Sequence, residues 1–169
     1  MEFSTLAASE TTDKRTTKPH ILPIYATSSY AFESIDQGID IFLGKEKGHV
    51  YSRYGNPTIE SVAEKIAQLE AHGTGLTAQG LMTSSGMAAI STLVMGLLKS
   101  GDKVLTQGNL YGGTTELFKS VFLPLGIEPV MVDFRDLDLV EKSVKNDPKI
   151  RLIFCETPAN PTLACVDLA

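Results

Sequence analysis

Strands alternating with helices from Leu76 to Glu156 predict an α/β fold built on a mainly parallel sheet. Short β-branched and apolar runs at Lys103–Gln107, Ile127–Asp133 and Ile150–Glu156 are the candidate strands. Segments of helical period lie between them, and Gly, Asn or Pro marks the joins. Leu76–Thr83 alternates and reads as one more short strand. Parallel sheets gather ligands outside the carboxyl ends of their strands. That rule places Ser84–Met87, Asn109–Gly113 and Glu156–Asn160 along one rim.

Each element has its own local reason. Residues 1–18 are polar and Ser/Thr-rich, which predicts a loose arm. His20–Phe32 holds β-branched and aromatic residues with a proline at position 23, and reads as extended backbone. Ser34–Leu43 reads as a short helix broken by Gly44–Gly48. Asn56 suits a helix cap and Pro57 the first helical position. Ile59, Val62, Ala63, Ile66 and Leu69 then recur at helical spacing, with Glu60, Glu64, Lys65 and Gln68 outside. Met87–Leu98 is almost wholly apolar and predicts a helix buried on most sides. Gly101-Asp102 turns into a strand, and Leu110–Leu125 and Leu137–Lys145 read as helices. The run Thr157-Pro158-Ala159-Asn160-Pro161 is a turn.

Composition narrows the function classes. The chain has 169 residues and a net charge of -5, with scattered Lys and Arg, which excludes a nucleic-acid or anionic-membrane surface. No apolar run reaches transmembrane length, and the polar N-terminus is unlike a signal peptide, so a reducing cytoplasm is the default expectation. Cys155 and Cys165 lack CxxC spacing and any His partner, so they read as buried thiols and no metal site is expected.

The chemistry-bearing residues sit on the expected rim. Thr83-Ser84-Ser85-Gly86 permits a tight turn into a helix whose free N–H groups suit a phosphate. Its plain reading is a Ser/Gly loop before a core helix. Tyr111-Gly112-Gly113 offers a ring at a flexible helix start, or a ring packed on the sheet edge. Asn160 offers an amide, or a common turn residue, and Glu156 a carboxylate, or a solvated strand end. Taken together, the set fits a planar phosphorylated cofactor.

Five ordered blocks carry a resemblance: Tyr51-Ser52-Arg53-Tyr54-Gly55-Asn56-Pro57-Thr58, Ser84-Ser85-Gly86-Met87-Ala88-Ala89, Gly101-Asp102, Leu110-Tyr111-Gly112-Gly113-Thr114 and Glu156-Thr157-Pro158-Ala159-Asn160-Pro161-Thr162. The chain resembles the Cys/Met-metabolism enzymes that use pyridoxal 5'-phosphate, among them cystathionine γ-synthase, cystathionine γ-lyase, methionine γ-lyase and O-acetylhomoserine sulfhydrylase. The resemblance implies a fold-type I large domain, here incomplete, with an extended N-terminal arm over residues 1–57 and the cofactor-binding domain from 58 to 169. It implies that Ser85, Gly86 and Met87 hold the cofactor phosphate. Tyr51 and Arg53 would reach the phosphate of a neighbouring subunit, which makes the site dimer-shared and the full-length enzyme a dimer of dimers. Tyr111 would stack on the pyridine ring and act in proton transfer, and Asn160 would bond the 3'-oxygen. Glu156 matches a motif position without an assigned role.

The implied activity is γ-replacement or γ-elimination on cysteine, homocysteine, activated homoserine or methionine-type amino acids. Methionine γ-lyases carry a cysteine where this chain has Gly113, which favours the other members. The family's Schiff-base lysine and the aspartate facing the pyridine nitrogen are expected beyond Ala169. A noncatalytic truncated product or pseudoenzyme stays open beside the enzyme reading. An unrelated α/β nucleotide-binding domain stays open as well, though without GxGxxG or a P-loop to support it.

Overall fold

The computed structural model describes residues 19–168, so the expected arm over 1–18 lies outside the described residues. The chain forms two compact units, one ending at Met82 and the other beginning at Thr83.

The first unit carries α1 (Ile35–Phe42) and α2 (Pro57–Glu70). Ser34 caps α1 and accepts the Gln37 N–H; Gly44, at φ 71°, follows its end. Residues 20–32 form no helix, in keeping with their composition, and Ser29 makes an isolated antiparallel bridge to Tyr51. Asn56 caps α2: its Oδ1 accepts the Thr58 N–H at 2.9 Å, with Pro57 in the first turn. Buried Asn56 also donates to the Tyr25 carbonyl and to Ser52 Oγ, tying the extended segment to the helix start.

Leu76–Thr83 forms no strand, contrary to the reading from alternation. Its carboxyl-terminal part instead lies against α2. A Cβ on Gly80 would meet the Ala63 carbonyl oxygen at 2.4 Å, an approach open only to glycine. Alternation supplies a face, but a strand also needs a neighbour's N–H and C=O groups.

The second unit is built on a parallel sheet. It contains α3 (Gly86–Leu97), β1 (Lys103–Gln107), α4 (Gly112–Leu117) running into a π-helical turn (Phe118–Phe122), β2 (Glu128–Val132), α5 (Leu137–Asn146) and β3 (Ile150–Phe154). The order is β2-β1-β3, with Leu105 opposite Val130 on one side and Ile153 on the other. Central β1 has Val104, Leu105 and Thr106 wholly buried, as expected of a strand covered on both faces. Val94, Leu98, Val104, Leu110, Phe118, Phe122 and Ile127 form one core, and the rings of Phe118 and Phe122 meet edge-on at 5.4 Å.

Two expectations about burial need correcting. Helix α3 buries one side only: Val94 is inaccessible, whereas Met95 and Leu97 are 59% and 64% exposed. An all-round apolar helix is buried only where other elements cover each side, and within this unit the common core covers one. The cysteines are not buried either, since Cys155 is intermediate and Cys165 exposed. Cys155 follows β3, which borders the described sheet, and Cys165 follows an exposed turn.

Candidate functional site

Of the three segments expected on one rim, hydrogen bonds join the two that follow β1 and β3, and the direction of α3 places the third. Only five residues, Leu98–Asp102, join α3 to β1, and both pack in one core. The helix therefore runs back along the strand, about 18 Å of helix against about 17 Å of strand, and starts near the strand's carboxyl end. Ser85 caps α3, its Oγ accepting the Ala88 N–H at 3.1 Å. Helix geometry leaves the Gly86 and Met87 N–H groups without an intrahelical acceptor. Gly86 is exposed, and nothing lies within 4 Å of a Cβ built on it.

The other two rim segments are bound together. Gln107, at the end of β1, donates from Nε2 to the Asn109 carbonyl at 2.6 Å and to the Glu156 carbonyl at 2.9 Å. Asn109 donates through its side chain to Thr162 Oγ1. The Glu156 carboxylate accepts the Tyr111 N–H at 2.6 Å on one oxygen and the Thr114 hydroxyl at 2.6 Å on the other. Glu156 is thus no solvated strand end. Sequence reasoning gave it no role and passed over Gln107 and Thr114. Thr114 had a signal, its place in the Tyr-Gly-Gly-Thr block, while a single glutamine ending a strand carries none.

Tyr111, 48% exposed, stands at the cap position of α4. Its ring lies over Gly113, where an added Cβ would come within 2.5 Å of Cε1. Asn160 is exposed in a closed turn: the Ala159 N–H bonds the Ala164 carbonyl and the Leu163 N–H bonds the Ala159 carbonyl. The Thr157–Pro158 and Asn160–Pro161 bonds of this turn are cis. A cleft of about 440 Å³ beside β1 and β2 is lined by Gln107, Asn109, Asp133 and Arg135 but by none of the predicted site residues. There Arg135 hydrogen-bonds Asp133 and holds its carboxyl down at about 2. Lys103 is at the amino end of β1, bound to Asp147 at 3.0 Å and Glu128 at 3.5 Å. Lys149 lies at the same end, just before β3, and Lys99 just before β1. None of these three lysines shares an end of the sheet with Tyr111.

Tyr51 and Arg53 belong to the first unit. They sit side by side, the Arg53 guanidinium 5.1 Å from the centre of the Tyr51 ring and 5.4 Å from that of Tyr54. Among the described residues no group of His, Cys, Asp and Glu is arranged to hold a metal ion, and no helix is long and apolar enough to cross a membrane.

The profile of the Cys/Met metabolism PLP-dependent enzymes matches residues 4–169. The chain belongs to this family. It is 44% identical over 147 residues to an L-methionine gamma-lyase of Fusobacterium nucleatum subsp. polymorphum, covering 87% of this chain and 35% of that one. It is 38% identical over 167 residues to an O-succinylhomoserine sulfhydrylase of Pseudomonas aeruginosa, covering 99% of this chain and 40% of the relative. Among solved structures, a Campylobacter jejuni protein assigned as O-acetylhomoserine (thiol)-lyase superposes with a TM-score of 0.77 at 35% identity. That match covers 96% of this chain and 38% of the other, which carries N'-pyridoxyl-lysine-5'-monophosphate. A cystathionine gamma-lyase from Lactobacillus plantarum superposes with a TM-score of 0.70 at 36% identity, over 85% of this chain and 33% of that one. The chain thus spans little more than a third of the length of these family members, and the cofactor of the family is pyridoxal 5'-phosphate.

The residues present fit that cofactor. A pair of helix-start amides without helical acceptors suits its phosphate, and the half-exposed ring of Tyr111, its backbone held by Glu156, suits its flat face.

Proposed function

We propose that these residues are the phosphate- and ring-binding part of a trans-sulfuration enzyme acting by γ-replacement or γ-elimination on sulfur-bearing or activated amino acids. The single observation that supports this most is the anchored Tyr111 after β1, at the end of the sheet where the direction of α3 puts the Gly86 and Met87 amides. Ser85 shapes the first turn, and the N–H groups of Gly86 and Met87 receive the phosphate oxygens. Tyr111 covers one face of the ring and handles a proton through its hydroxyl, while Asn160 donates its amide to the ring oxygen. Bound pyridoxal phosphate supplies an electron sink for the carbanion left when a substrate Cα loses its proton. Tyr51 and Arg53 serve the phosphate of a second subunit, in a cytoplasmic homo-oligomer. Residues 1–57 act as the arm, and those from 58 onward open the cofactor domain.

The relatives span lyases, a sulfhydrylase and a synthase at comparable identity, so identity does not select among them. Gly113 supports a member other than methionine γ-lyase, because a side chain there displaces the Tyr111 ring as it now lies.

The test is an amide-resolved titration of the isotope-labelled chain. Pyridoxal phosphate should shift the Gly86 and Met87 amides, and pyridoxal without phosphate should leave them in place. Equal responses to both, or none, would remove the reading. Borohydride reduction of the same sample should give no single stoichiometric lysine adduct, since Lys99, Lys103 and Lys149 lie at the far end of the sheet.

A further inference from the structure

We propose that Glu156 is a positioning residue that sets where the Tyr111 ring stands, through the backbone it anchors rather than by touching the ring. The inference rests on the cofactor reading above for its purpose, but its geometry stands alone. Tyr111 occupies the cap position of α4, where it makes no side-chain capping bond. The cap arrives instead from the end of β3, 42 to 45 residues away in sequence. One carboxylate oxygen takes the Tyr111 N–H and the other takes the hydroxyl of Thr114, a residue with no accessible surface. Both bonds are 2.6 Å long, short as expected where the acceptor is charged.

Two features make the anchor stiff. Gln107, only 6% exposed, bonds the Glu156 carbonyl and the Asn109 carbonyl with the two hydrogens of one amide, so the ends of β1 and β3 move together. Gly113 leaves room for the ring to lie back over its own helix turn. With the backbone held from one side and Gly113 bare on the other, the ring has a defined place.

The residue type follows from the partners. Tyr111 N–H can only donate, while the Thr114 hydroxyl can donate or accept. A carboxylate meets both as a charged acceptor, whereas a glutamine amide accepts the Tyr111 N–H and donates to the Thr114 hydroxyl, keeping both contacts as weaker neutral bonds. Glu156→Gln is therefore a weakened anchor, and Glu156→Ala none.

The experiment measures hydrogen exchange at the Tyr111 amide and the shift of the Tyr111 ring resonances on adding pyridoxal phosphate. It compares the labelled parent chain with Glu156→Ala, Glu156→Gln and Thr114→Val. Exchange at Tyr111 should rise roughly ten- to hundredfold in Glu156→Ala, the loss expected for a charge-assisted bond, and less in the other two. Amides of Val104 to Thr106 should keep their protection as a control for folding. The cofactor-induced ring shift should shrink in the same order, while the Gly86 and Met87 responses persist. If Glu156→Ala melts the sheet, the two milder variants carry the comparison. Unchanged Tyr111 exchange would overturn the proposal, as would faster exchange with a ring shift equal to the parent's. A parent chain whose Gly86 and Met87 amides ignore pyridoxal phosphate sinks the cofactor reading instead, and the exchange data still decide the anchor.

Discussion

Asn56 shows how much one buried amide can hold. It caps α2, reaches the Tyr25 carbonyl and meets Ser52, and it is only 6% exposed. Asn56→Ala should cost about 1–2 kcal/mol, the usual cost of a lost cap, with some addition for the carbonyl left unpaired. Urea melts of the two proteins measure it, and an unchanged midpoint would contradict the capping role. Asp133 makes a prediction of another kind. Hydrogen bonds from the Arg135 side chain, then from its backbone, pull its carboxyl from 3.8 to about 2. A depressed carboxylate adds stability above its unfolded value, and that contribution is lost as pH falls from about 4 through about 2. Carbon-detected titration of Asp133 should show the low midpoint, and Arg135→Leu should return it toward the ordinary carboxylate value.

At the scale of elements, the core of the second unit rests on the π-helical turn that follows α4. It places Phe118 and Phe122 edge-on, and Phe154 of β3 joins Phe118 at 6.0 Å. Phe118 is wholly buried between helix and sheet, so Phe118→Ala should destabilise by about 3–5 kcal/mol through lost burial plus the cavity left behind. Thermal or urea melts read that directly, whereas a change under 1 kcal/mol would mean the unit is loosely packed. The apolar sides of α2 and α3 present the opposite case. Leu69 and Leu97 are 67% and 64% exposed, so these helices owe their form to caps and local propensity as much as to burial.

For the whole molecule, the assignment of Arg53 across a subunit boundary is the claim with the widest consequence. The arginine lies over the rings of Tyr51 and Tyr54 in the first unit, and a guanidinium's planar fork suits a bidentate anion. Losing one charge-assisted bond of about 1.5–3 kcal/mol should weaken cofactor affinity roughly ten- to hundredfold. Subunit complementation in the longer enzyme tests the arrangement in trans. One variant carries Arg53→Ala and the other lacks the cofactor-linking lysine. Mixed dimers should recover one working site; mixed dimers that form and stay inactive would place Arg53 within its own subunit's site.

Local signals in the chain determined most of the elements and singled out the residues proposed for the site. The cap at Asn56, the alternating strand and helix periods, and the ordered motif blocks need only neighbours in sequence, because capping and periodicity are short-range physics. The rim itself was legible because parallel β/α units place their helix starts at one end of the sheet. What only the tertiary structure decided is what depends on distant partners. Leu76–Thr83 has a strand's pattern but no ladder, and α3 has a buried helix's composition but cover on one side alone. Glu156 has no visible purpose until β3 lies beside β1 and brings its carboxylate to the Tyr111 amide. Long-range hydrogen bonds leave no period and no composition in the sequence that forms them.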